Sequence, residues 1–350
     1  MKILVTGSSG LIGSEAVEHF CKLGHDVIGI DNNMRKEFFG EKGDTLWNLK
    51  RLTNKYKNFV SYGIDIRDRV MIMSFFEEQK PEAIIHCAAQ PSHDKAASIP
   101  FLDFEVNAMG TLNLLEATRQ YCKESPFVFM STNKVYGDGP NDIPMKELDM
   151  RYDYHIESYT DGIDESFSID QCKHSLFGTS KVAADILVQE YGKYFNMATV
   201  CLRGGCLTGP NHSGVELHGF LSYLIKCIVH GIKYKVYGYK GKQVRDQIHS
   251  YDVVRAMEEI IMNPSYGTGE IFNIGGGKGN AASLLECVEM IKIKTGKSFD
   301  FEYVNENRIG DHICYYSNIN KLKQHYPKWN ITKDLNTIID EMIEFENKND

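Results

Sequence analysis

The chain has 350 residues, of which 42% are hydrophobic and 25% are charged, and its formal net charge is −8. This length can bury one large core or two modest ones, and the composition is that of an ordinary globular protein. The negative charge argues against a nucleic-acid partner, because such a partner needs a basic patch and none stands out. No apolar run is long enough to span a membrane, so we expect no membrane partner.

The nine cysteines indicate a reducing compartment. They are scattered, mostly within apolar segments, and they form no CxxC pair. The N-terminus also lacks the basic and apolar regions of a secretory leader, so we expect free thiols and a cytoplasmic protein. The histidines do not show metal-binding spacing, and we predict no metal.

The first 31 residues predict a dinucleotide-binding unit. An apolar strand from Lys2 to Thr6 leads into Gly7, Gly10 and Gly13. Glycine at these positions allows a tight turn, close approach of backbone N–H groups to a pyrophosphate, and packing of a helix on the strand. The helix is predicted over about residues 11–23, so its first residues, Leu11 and Ile12, belong to the same cofactor site.

An acidic residue at the end of the second predicted strand favours NAD as the cofactor. Asp31 follows the glycines by roughly twenty residues, where a carboxylate can accept hydrogen bonds from the adenosine ribose. It would also repel the 2′-phosphate of NADP. Arg35 and Lys36 lie close enough to weaken that distinction. We assign Asn32 and Arg35 to the cofactor site with Asp31.

Strands and helices then alternate, which is typical of an α/β fold with a doubly wound parallel sheet. Further strands are predicted over residues 59–62, 83–87, 127–130 and 199–203, and long helices over about 104–121 and 177–194. Loops after the carboxyl ends of such strands border the ligand crevice. On this basis the cofactor site also includes Asp65, Ile66, Ala88, Ala89 and Gln90, and we assign Asn107, near the start of the helix over about 104–121, to the same site.

The chain is predicted to form two unequal parts. Residues 1–204 form the dinucleotide-binding domain, to which the chain returns at about residues 247–261. Residues 205–350 form a smaller, discontinuous α/β lobe that binds substrate and contains helices near residues 284–294 and 335–345. A polar segment from Gly137 to Lys173 lacks periodicity and predicts an excursion over the active site.

Several motifs together resemble the extended short-chain dehydrogenase/reductase family, most of whose members act on nucleotide sugars. They are the glycine turn, Asp31, the stretch STNKVYG at 131–137, the helix with Lys181, Arg245-Asp246, NIGG at 273–276 and RIGD at 308–311. Within the family, STNKVYGD, GTLNLLEATRQY and GKQVRD are most similar to a subfamily that epimerises CDP-linked hexoses at C2. The resemblance implies a Rossmann fold, tightly bound NAD, a nucleotide-sugar substrate and a homodimer formed through the two long helices.

The resemblance also implies a catalytic Tyr-x-x-x-Lys pair beside a Ser or Thr, and one member is missing. Thr132 and Lys181 match the pattern, but Phe177 stands where the tyrosine is expected. In the family the lysine ammonium stabilises the phenolate, which takes the sugar hydroxyl proton as hydride leaves for the nicotinamide. A phenylalanine can act neither as acid nor as base. Lys181 can also bind the nicotinamide ribose hydroxyls, a role that does not need the tyrosine, so it belongs to the predicted cofactor site as well. The resemblance also implies that Arg203, at the end of the strand after this helix, contacts the cofactor side of the crevice.

Four explanations of Phe177 remain open on the sequence. Another group performs the proton transfer, the chain does different chemistry, it binds NAD and ligand without turnover, or the phenylalanine is an introduced change that traps substrate. Of the replacement groups, His174 has the best intrinsic pKa for the task. The other candidates are Cys172, Lys134, Lys181 and the tyrosines at 152, 154 and 159.

Substrate contacts are predicted from both parts of the chain. Thr132, Asn133 and His93 face the sugar in this scheme, and the resemblance places Arg245 and Arg308 on the diphosphate. A guanidinium group matches diphosphate oxygens bidentately. The intervening loop offers further candidates for reading base or sugar: Asn211, His212, Glu216 and His218.

The favoured function is a nucleotide-sugar epimerase with NAD as a transient hydride acceptor. A dehydratase or other lyase is the second hypothesis, but dehydratases of the family commonly carry an Asp-Glu pair where this chain has Asn133-Lys134. A third hypothesis, a binding protein with altered or lost catalysis, is favoured by Phe177.

Overall fold

A seven-stranded parallel sheet forms the centre of the larger part of the molecule. The computed structural model describes residues 1–212, 219–306 and 311–348. In the first half of the chain the elements are β1 (Lys2–Thr6), α1 (Leu11–Lys22), β2 (Asp26–Ile30), α2 (Met34–Phe39), α3 (Leu46–Lys55), β3 (Phe59–Tyr62), α4 (Arg69–Gln79), β4 (Ala83–His86), α5 (His93–Ala96), α6 (Pro100–Phe104), α7 (Gly110–Tyr121), β5 (Phe127–Thr132), β6 (Met145–Glu147), β7 (Tyr152–Tyr154) and α8 (Ser175–Phe195).

The second half continues with β8 (Thr199–Gly204), β9 (Cys206–Thr208), α9 (Phe220–His230), β10 (Tyr234–Tyr237), β11 (Val244–His249), α10 (Ser250–Met262), β12 (Glu270–Ile274), β13 (Ala281–Ser283), α11 (Leu284–Thr295), β14 (Phe301–Val304), β15 (Cys314–Tyr315), α12 (Asn320–His325) and α13 (Leu335–Lys348). Among the described residues, no helix is both long and apolar enough to cross a membrane.

The strand order of the large sheet is β12-β8-β5-β4-β1-β2-β3. All neighbouring strands pair in parallel, and the order reverses between β1 and β4. Where the order reverses, the loops after the two strands diverge to opposite faces and leave a crevice. The prediction of an α/β, doubly wound parallel sheet is confirmed.

Both faces of this sheet are covered by helices, which explains why its strands are continuously apolar. Ile3 and Val5 belong to a core with Phe20 of α1, whereas Leu4 packs in a second core with Leu114 of α7. Successive side chains of a strand point to opposite faces, so each face needs its own apolar residues.

The predicted long helix before β5 begins earlier than expected and is not uniform. It starts at Pro100, and a π-helical turn over Glu105–Met109 separates α6 from α7. A π turn rotates the residues that precede it relative to those that follow. Here it carries Asn107 into a buried contact with α8.

The smaller lobe has its own sheet and core. β11 lies between β13 and β15 and also pairs with β9, and β10 pairs with β14. Helices α9, α11 and α13 bury Leu224, Ile291 and Ile338 completely in one cluster.

The part of the second half that packs on the large sheet extends beyond the predicted range, residues 247–261. Helix α10 packs on the same core as α1, as expected for residues 247–261, although β11 up to His249 belongs to the smaller sheet. The sequence-based boundary placed residues 262–350 in the smaller lobe, but β12 is the seventh strand of the large sheet. The sequence of β12 is that of an ordinary short strand and does not indicate which sheet it joins. Its pairing with β8 assigns it to the large sheet.

Candidate functional site

A cleft of about 480 Å³ runs between the large sheet and the smaller lobe. Its walls come from the loops after β1, β2, β3, β4, β5 and β8, from α8, and from β10 and β11 of the smaller lobe. The carboxyl ends of parallel strands therefore supply one wall, as expected for ligand sites in doubly wound sheets.

The three glycines at the start of the cleft have different physical roles. A Cβ on Gly13 would lie 2.0 Å from the Gly7 carbonyl oxygen, and a Cβ on Gly7 would lie 2.8 Å from the Ala88 nitrogen. These two glycines are required by the protein's own packing. A Cβ on Gly10 would meet only the Gly7 oxygen, at 3.4 Å. The open space at Gly10 lies at the start of α1, where backbone N–H groups attract phosphate.

Asp31 faces this turn from the end of β2. Its carboxylate accepts hydrogen bonds from the backbone N–H groups of Ser9, at 2.9 Å, and Asn33, at 2.8 Å. Burial raises the pKa of Asp31 above its ordinary value. The open turn and the adjacent fixed carboxylate fit the pyrophosphate and the adenosine ribose of a dinucleotide.

The remaining predicted cofactor residues divide into those that line the cleft and those that do not. Lining residues are Leu11, Ile12, Asn32, Arg35, Asp65, Ile66, Ala88, Ala89 and Lys181. Lys36 instead forms ion pairs with Glu41 and Asp44, at 2.9 and 3.2 Å, away from the cleft. Of the two basic residues near Asp31, therefore, Arg35 lines the cleft and Lys36 does not.

Gln90 and Asn107 are buried behind the wall rather than in it. The Gln90 side chain donates to the carboxylate of Asp103 at 2.7 Å, and Asn107 donates to the same carboxylate at 3.2 Å. Ser180 donates to Asp103 at 2.6 Å. Neither Gln90 nor Asn107 lines the cleft. Their hydrogen bonds instead tie the π turn to α8, one residue before Lys181.

Arg203 also points away from the cleft, contrary to the sequence prediction. Its guanidinium is 3% exposed and pairs with Asp185 of α8, with an Nη2–Oδ1 distance of 2.9 Å. The group also donates to the Tyr136 hydroxyl at 3.2 Å. Burial alone would lower the pKa of Arg203, but its pairing with Asp185 raises it.

The predicted catalytic residues Thr132, Phe177 and Lys181 all line the cleft. Thr132 ends β5, its hydroxyl accepts the Lys134 backbone N–H at 3.2 Å, and both residues line the cleft with Phe177 and Lys181. Lys181 donates through Nζ to the Met130 carbonyl at 2.8 Å and lies 4.1 Å from the centre of the Phe129 ring. Burial lowers the pKa of Lys181 to about 8. Phe177 is 8% exposed and puts an apolar ring where the family pattern has a phenol.

His174 lies outside the cleft. It precedes α8, and its Nε2 lies 2.7 Å from the Ile169 carbonyl oxygen. No residue from 135 to 176, all within the described part of the chain, lines the cleft. This excludes His174, Cys172 and the three loop tyrosines from direct proton transfer in this arrangement.

The polar segment from Gly137 to Lys173 therefore does not cover the active site. It forms the β6–β7 hairpin and buries Tyr154 and Ile163 against Val244 and Tyr315 of the smaller lobe. The sequence-based expectation of an excursion over the site is wrong. A polar loop with scattered aromatic residues can bury those residues between two parts of a protein as readily as it can cover a ligand.

An ionic cluster in the cleft joins the two lobes. Arg245 donates to the Asp311 carboxylate and to the His312 carbonyl, each at 2.5 Å, and Lys134 Nζ lies 3.8 Å from the same carboxylate. Burial alone would raise the pKa of Asp311, but the pairing with Arg245 and Lys134 lowers it well below its ordinary value. Arg245 and Lys134 thus present two positive groups from opposite lobes, with one carboxylate between them.

The other predicted substrate residues are placed as follows. His93, Asn133, Asn211 and His212 line the cleft. Arg308, Glu216 and His218 lie outside the described residues.

The smaller lobe also contributes cleft residues that the sequence did not predict, among them Asp311, Gln243, Tyr234 and Tyr237. Two of these had a signal in the sequence. Gln243 precedes Arg245 by two residues, so a strand places both on one face, and Asp311 belongs to the RIGD motif.

Comparison with known proteins gives a consistent family. A sequence model of the NAD dependent epimerase/dehydratase family matches residues 3–275. CDP-paratose 2-epimerase from Salmonella typhi is 33% identical over 297 residues, which cover 83% of this chain and 84% of that protein. A dTDP-glucose 4,6-dehydratase from Salmonella typhimurium is 30% identical over 284 residues, covering 79% of this chain and 72% of the relative.

Solved structures agree with the fold. The UDP-glucose 4-epimerase of Thermus thermophilus, solved in complex with NAD, superimposes with a TM-score of 0.80 at 26% identity over 99% of each chain. The match over residues 3–275 and the open glycine turn beside Asp31 lead to one conclusion. The chain belongs to the NAD-dependent epimerase/dehydratase family, and NAD is its cofactor.

Proposed function

We propose that this protein is a nucleotide-sugar epimerase that acts on a CDP-linked hexose at C2. The observation that carries the proposal is the content of one cleft. The glycine turn, Asp31, Thr132, Lys181 and Arg245 all line it. We assign the glycine turn and Asp31 to the cofactor, Thr132 and Lys181 to the chemistry, and Arg245 to the substrate. The choice of CDP and of C2 is supported by the similarity to the Salmonella typhi CDP-paratose 2-epimerase.

Each end of the cleft has a separate task in this proposal. When bound, NAD accepts a hydride from the sugar ring and returns it, so no net oxidation results. Arg245 and Lys134 bind the anionic diphosphate, since a guanidinium and an ammonium both donate to phosphate oxygens. The Thr132 hydroxyl, which is oriented by the Lys134 backbone N–H, hydrogen-bonds the sugar hydroxyl that loses its proton.

Lys181 carries the proton in place of the missing phenol. It lines the cleft beside Thr132, and its pKa of about 8 leaves a fraction of the side chain as neutral amine near neutral pH. A neutral amine can take the sugar hydroxyl proton during oxidation and return it during reduction. Because position 177 has no phenol, Lys181 has no phenolate to stabilise, which frees the amine for this role.

Dehydration fits the residues beside Thr132 less well. The two positions that follow carry an amide and an ammonium, Asn133 and Lys134. Asp311, the carboxylate that lies 3.8 Å from the Lys134 Nζ, is held by Arg245. A carboxylate held as the anion by two cations is a weak proton donor or acceptor.

A second candidate, a protein that binds NAD and nucleotide sugar without turnover, is favoured by Phe177 alone. Its apolar ring lines the cleft where the family pattern supplies a proton-transfer group. The two candidates predict the same ligands and differ in whether product forms.

We also propose a homodimer formed through α6, α7 and α8. These helices contact one another and expose large apolar side chains, with Phe101 at 85%, Tyr194 at 77% and Ile186 at 46%. Large exposed apolar residues mark interaction surfaces. Ile186→Glu should give a monomer in sedimentation velocity, whereas Ile293→Glu, at an 82% exposed site on α11, should leave the association state unchanged. A monomeric wild type would contradict this.

All nine cysteines are free thiols. Free thiols persist in reducing surroundings, and this supports a compartment such as the cytoplasm as the site of action.

The proposed reaction is tested on the purified protein. Small molecules released by denaturation are identified by mass spectrometry, and the protein is then incubated with CDP-, UDP- and GDP-linked hexoses and the products are examined by NMR. We expect bound NAD, inversion at C2 of a CDP-hexose without added cofactor, and retention of deuterium supplied at C2.

Three results would contradict the proposal. Loss of the C2 deuterium to water would exclude hydride return, and loss of water from the sugar would indicate a dehydratase. Bound NAD and bound CDP-hexose without any product would indicate the binding protein.

A further inference from the structure

Lys181 lines the cleft and also contacts a buried phenylalanine of β5. Its Nζ lies 4.1 Å from the centre of the Phe129 ring and donates to the Met130 carbonyl at 2.8 Å. Phe129 is 1% exposed and does not line the cleft. Within the described part of the chain, no carboxylate forms an ion pair with Nζ. A carbonyl and a ring, rather than a carboxylate, therefore hold this amine.

The contact with the ring favours the charged form of Lys181. The face of an aromatic ring is negative, so it attracts an ammonium group that lies within about 6 Å of the ring centre. A neutral amine carries no charge for the ring to attract. Burial has the opposite effect and lowers the pKa of Lys181 to about 8. The ring therefore limits how far burial can shift the lysine towards the neutral amine.

The Phe129 ring packs on an imidazole that is itself fixed. Phe129 and His86 stack with their ring centres 5.2 Å apart. The Thr111 hydroxyl donates to the Asn107 carbonyl at 2.6 Å, so it accepts from the His86 Nε2–H at 2.9 Å. In the neutral ring Nδ1 then accepts from the Thr6 hydroxyl, at 2.7 Å. Burial keeps the pKa of His86 well below its ordinary value, so this imidazole adds no second positive charge to the ring.

Other titratable groups surround Lys181 as well. Two carboxylates act on its charge, Asp185 one turn later on α8 and Asp103 of α6. Asp185 is paired with Arg203, and Asp103 accepts from the Ser180 hydroxyl. The remaining groups are neutral His86 and the thiols of Cys87 and Cys201, whose pKa values are raised by burial. A substitution at position 129 removes none of these groups.

We propose that Phe129 is a positioning residue whose ring face holds the Lys181 ammonium group and thereby sets how readily Lys181 takes up a proton. In the proposed reaction the amine becomes an ammonium when it accepts the sugar hydroxyl proton, so the ring stabilises the form that this step produces. The inference rests on the proposed function for this use of the proton. The contact itself belongs to the protein without turnover.

Phe127 provides a matched control on the same strand. It lies two residues before Phe129, so both rings point to the same face of β5 and pack in the same core. Phe127 is 0% exposed, and its ring centre lies 6.0 Å from that of His86. Among the described residues, however, no cation lies over the Phe127 ring. Replacing either phenylalanine by leucine removes the same group from one core, but only the change at position 129 removes the contact with Lys181.

The test is the titration of Lys181 in the NAD-loaded protein, followed by NMR of lysine labelled with ¹³C at Cε. The Lys181 signal is the one that is missing from Lys181→Met. Phe129→Leu should lower the pH of the titration midpoint by about 0.5–1.5 pH units, as expected for loss of one desolvated cation–π contact. Phe127→Leu should leave the midpoint unchanged, although urea denaturation should show a loss of stability in both variants. If Phe129→Leu does not fold, Phe129→Met, which refills the space with a flexible apolar side chain, should give the same shift.

The outcomes separate this inference from the proposed function. An unchanged or higher midpoint in Phe129→Leu would overturn the inference, as would an equal shift in Phe127→Leu. The titration does not depend on product formation, so it decides the role of Phe129 even in a protein that binds its ligands without turnover. Where turnover is found, the rise of kcat/KM with pH should move down with the midpoint in Phe129→Leu. A midpoint that moves while the rate profile stays would uphold the role of Phe129 and exclude Lys181 as the proton acceptor of the proposed function.

Discussion

Arg203 and Asp185 form a buried ion pair beneath the active site, with 2.9 Å between Nη2 and Oδ1. The pair connects β8 to α8, the helix that carries Phe177 and Lys181. Asp185 also accepts a hydrogen bond from the Ser131 hydroxyl at 2.6 Å, so the same carboxylate holds the end of β5. The pair thus fixes the position of α8 relative to the strand that ends in Thr132.

Arg203→Met should therefore destabilise the protein without weakening NAD binding. Removing one partner of a buried pair leaves the other charge uncompensated, at a cost of about 3–5 kcal/mol. Urea denaturation should show this loss in the free energy of unfolding, and calorimetry below the transition should show an unchanged Kd for NAD. The double variant Arg203→Met with Asp185→Leu is the control and should recover part of the loss. A weaker NAD affinity at unchanged stability would instead restore Arg203 as a cofactor contact.

Gly10 and Gly13 should respond differently to alanine. A Cβ on Gly13 overlaps the Gly7 carbonyl oxygen, so Gly13→Ala should lower the free energy of unfolding by about 1–3 kcal/mol or more. Gly10 has an ordinary negative φ of −75° and open space around it. Gly10→Ala should leave the apoprotein's stability within about 1 kcal/mol and weaken NAD binding, measured by calorimetry, by tenfold or more. Unchanged NAD affinity in Gly10→Ala would exclude the glycine turn as the pyrophosphate site.

Phe177→Tyr should raise turnover. The Phe177 ring lines the cleft beside Lys181, so a hydroxyl on that ring supplies an acid–base group next to a lysine that can stabilise its anion. General acid–base groups contribute about 10²–10⁴-fold to rate, and we expect a gain in kcat at the lower end of this range. Phe177→Leu, which alters the ring without adding a hydroxyl, is the control. No gain, or a loss, in Phe177→Tyr would indicate a site rebuilt around phenylalanine.

The activity should rise with pH through about 8. Burial lowers the pKa of Lys181 to that value, so the neutral amine becomes the main form only above it. If Lys181 takes the proton, kcat/KM should increase through this pH and then level off, and Lys181→Met should lose turnover while still binding CDP. A rate that falls across the same range in the wild type would exclude the amine as proton acceptor.

The same group also predicts a dependence of stability on pH. A lysine in the unfolded chain titrates near pH 10.4, so between about pH 8 and that value the unfolded state holds a proton that the folded state has lost. The free energy of unfolding should therefore rise with pH in this window because of Lys181. The rise should be smaller in Lys181→Met, measured by urea denaturation at several pH values.

The fold class, the glycine turn and the family could be predicted from the amino-acid sequence alone. These features depend on residues close together in the chain: the glycines at 7, 10 and 13, Asp31 about one helix later, and apolar strands at regular intervals. The spacing of residues along the chain predicts these features because a strand, a turn and a helix are each made from consecutive residues. For the same reason the bounds of α8 and β3 agree with the predicted ranges within about two residues.

Which side chains face the cleft, and which join the elements around it, could be seen only once the chain was folded. Arg203 and Asp185 are 18 residues apart, Arg245 and Asp311 are 66 apart, and Gln90 reaches Asp103 beside a π turn. A polar residue at the end of a strand can bind a ligand or a neighbouring helix. The residues that flank it in the chain are the same in both cases. The residue's partner comes from a distant segment of the chain. Whether the residue binds a ligand or a helix therefore depends on how the segments pack, and local sequence does not predict that packing.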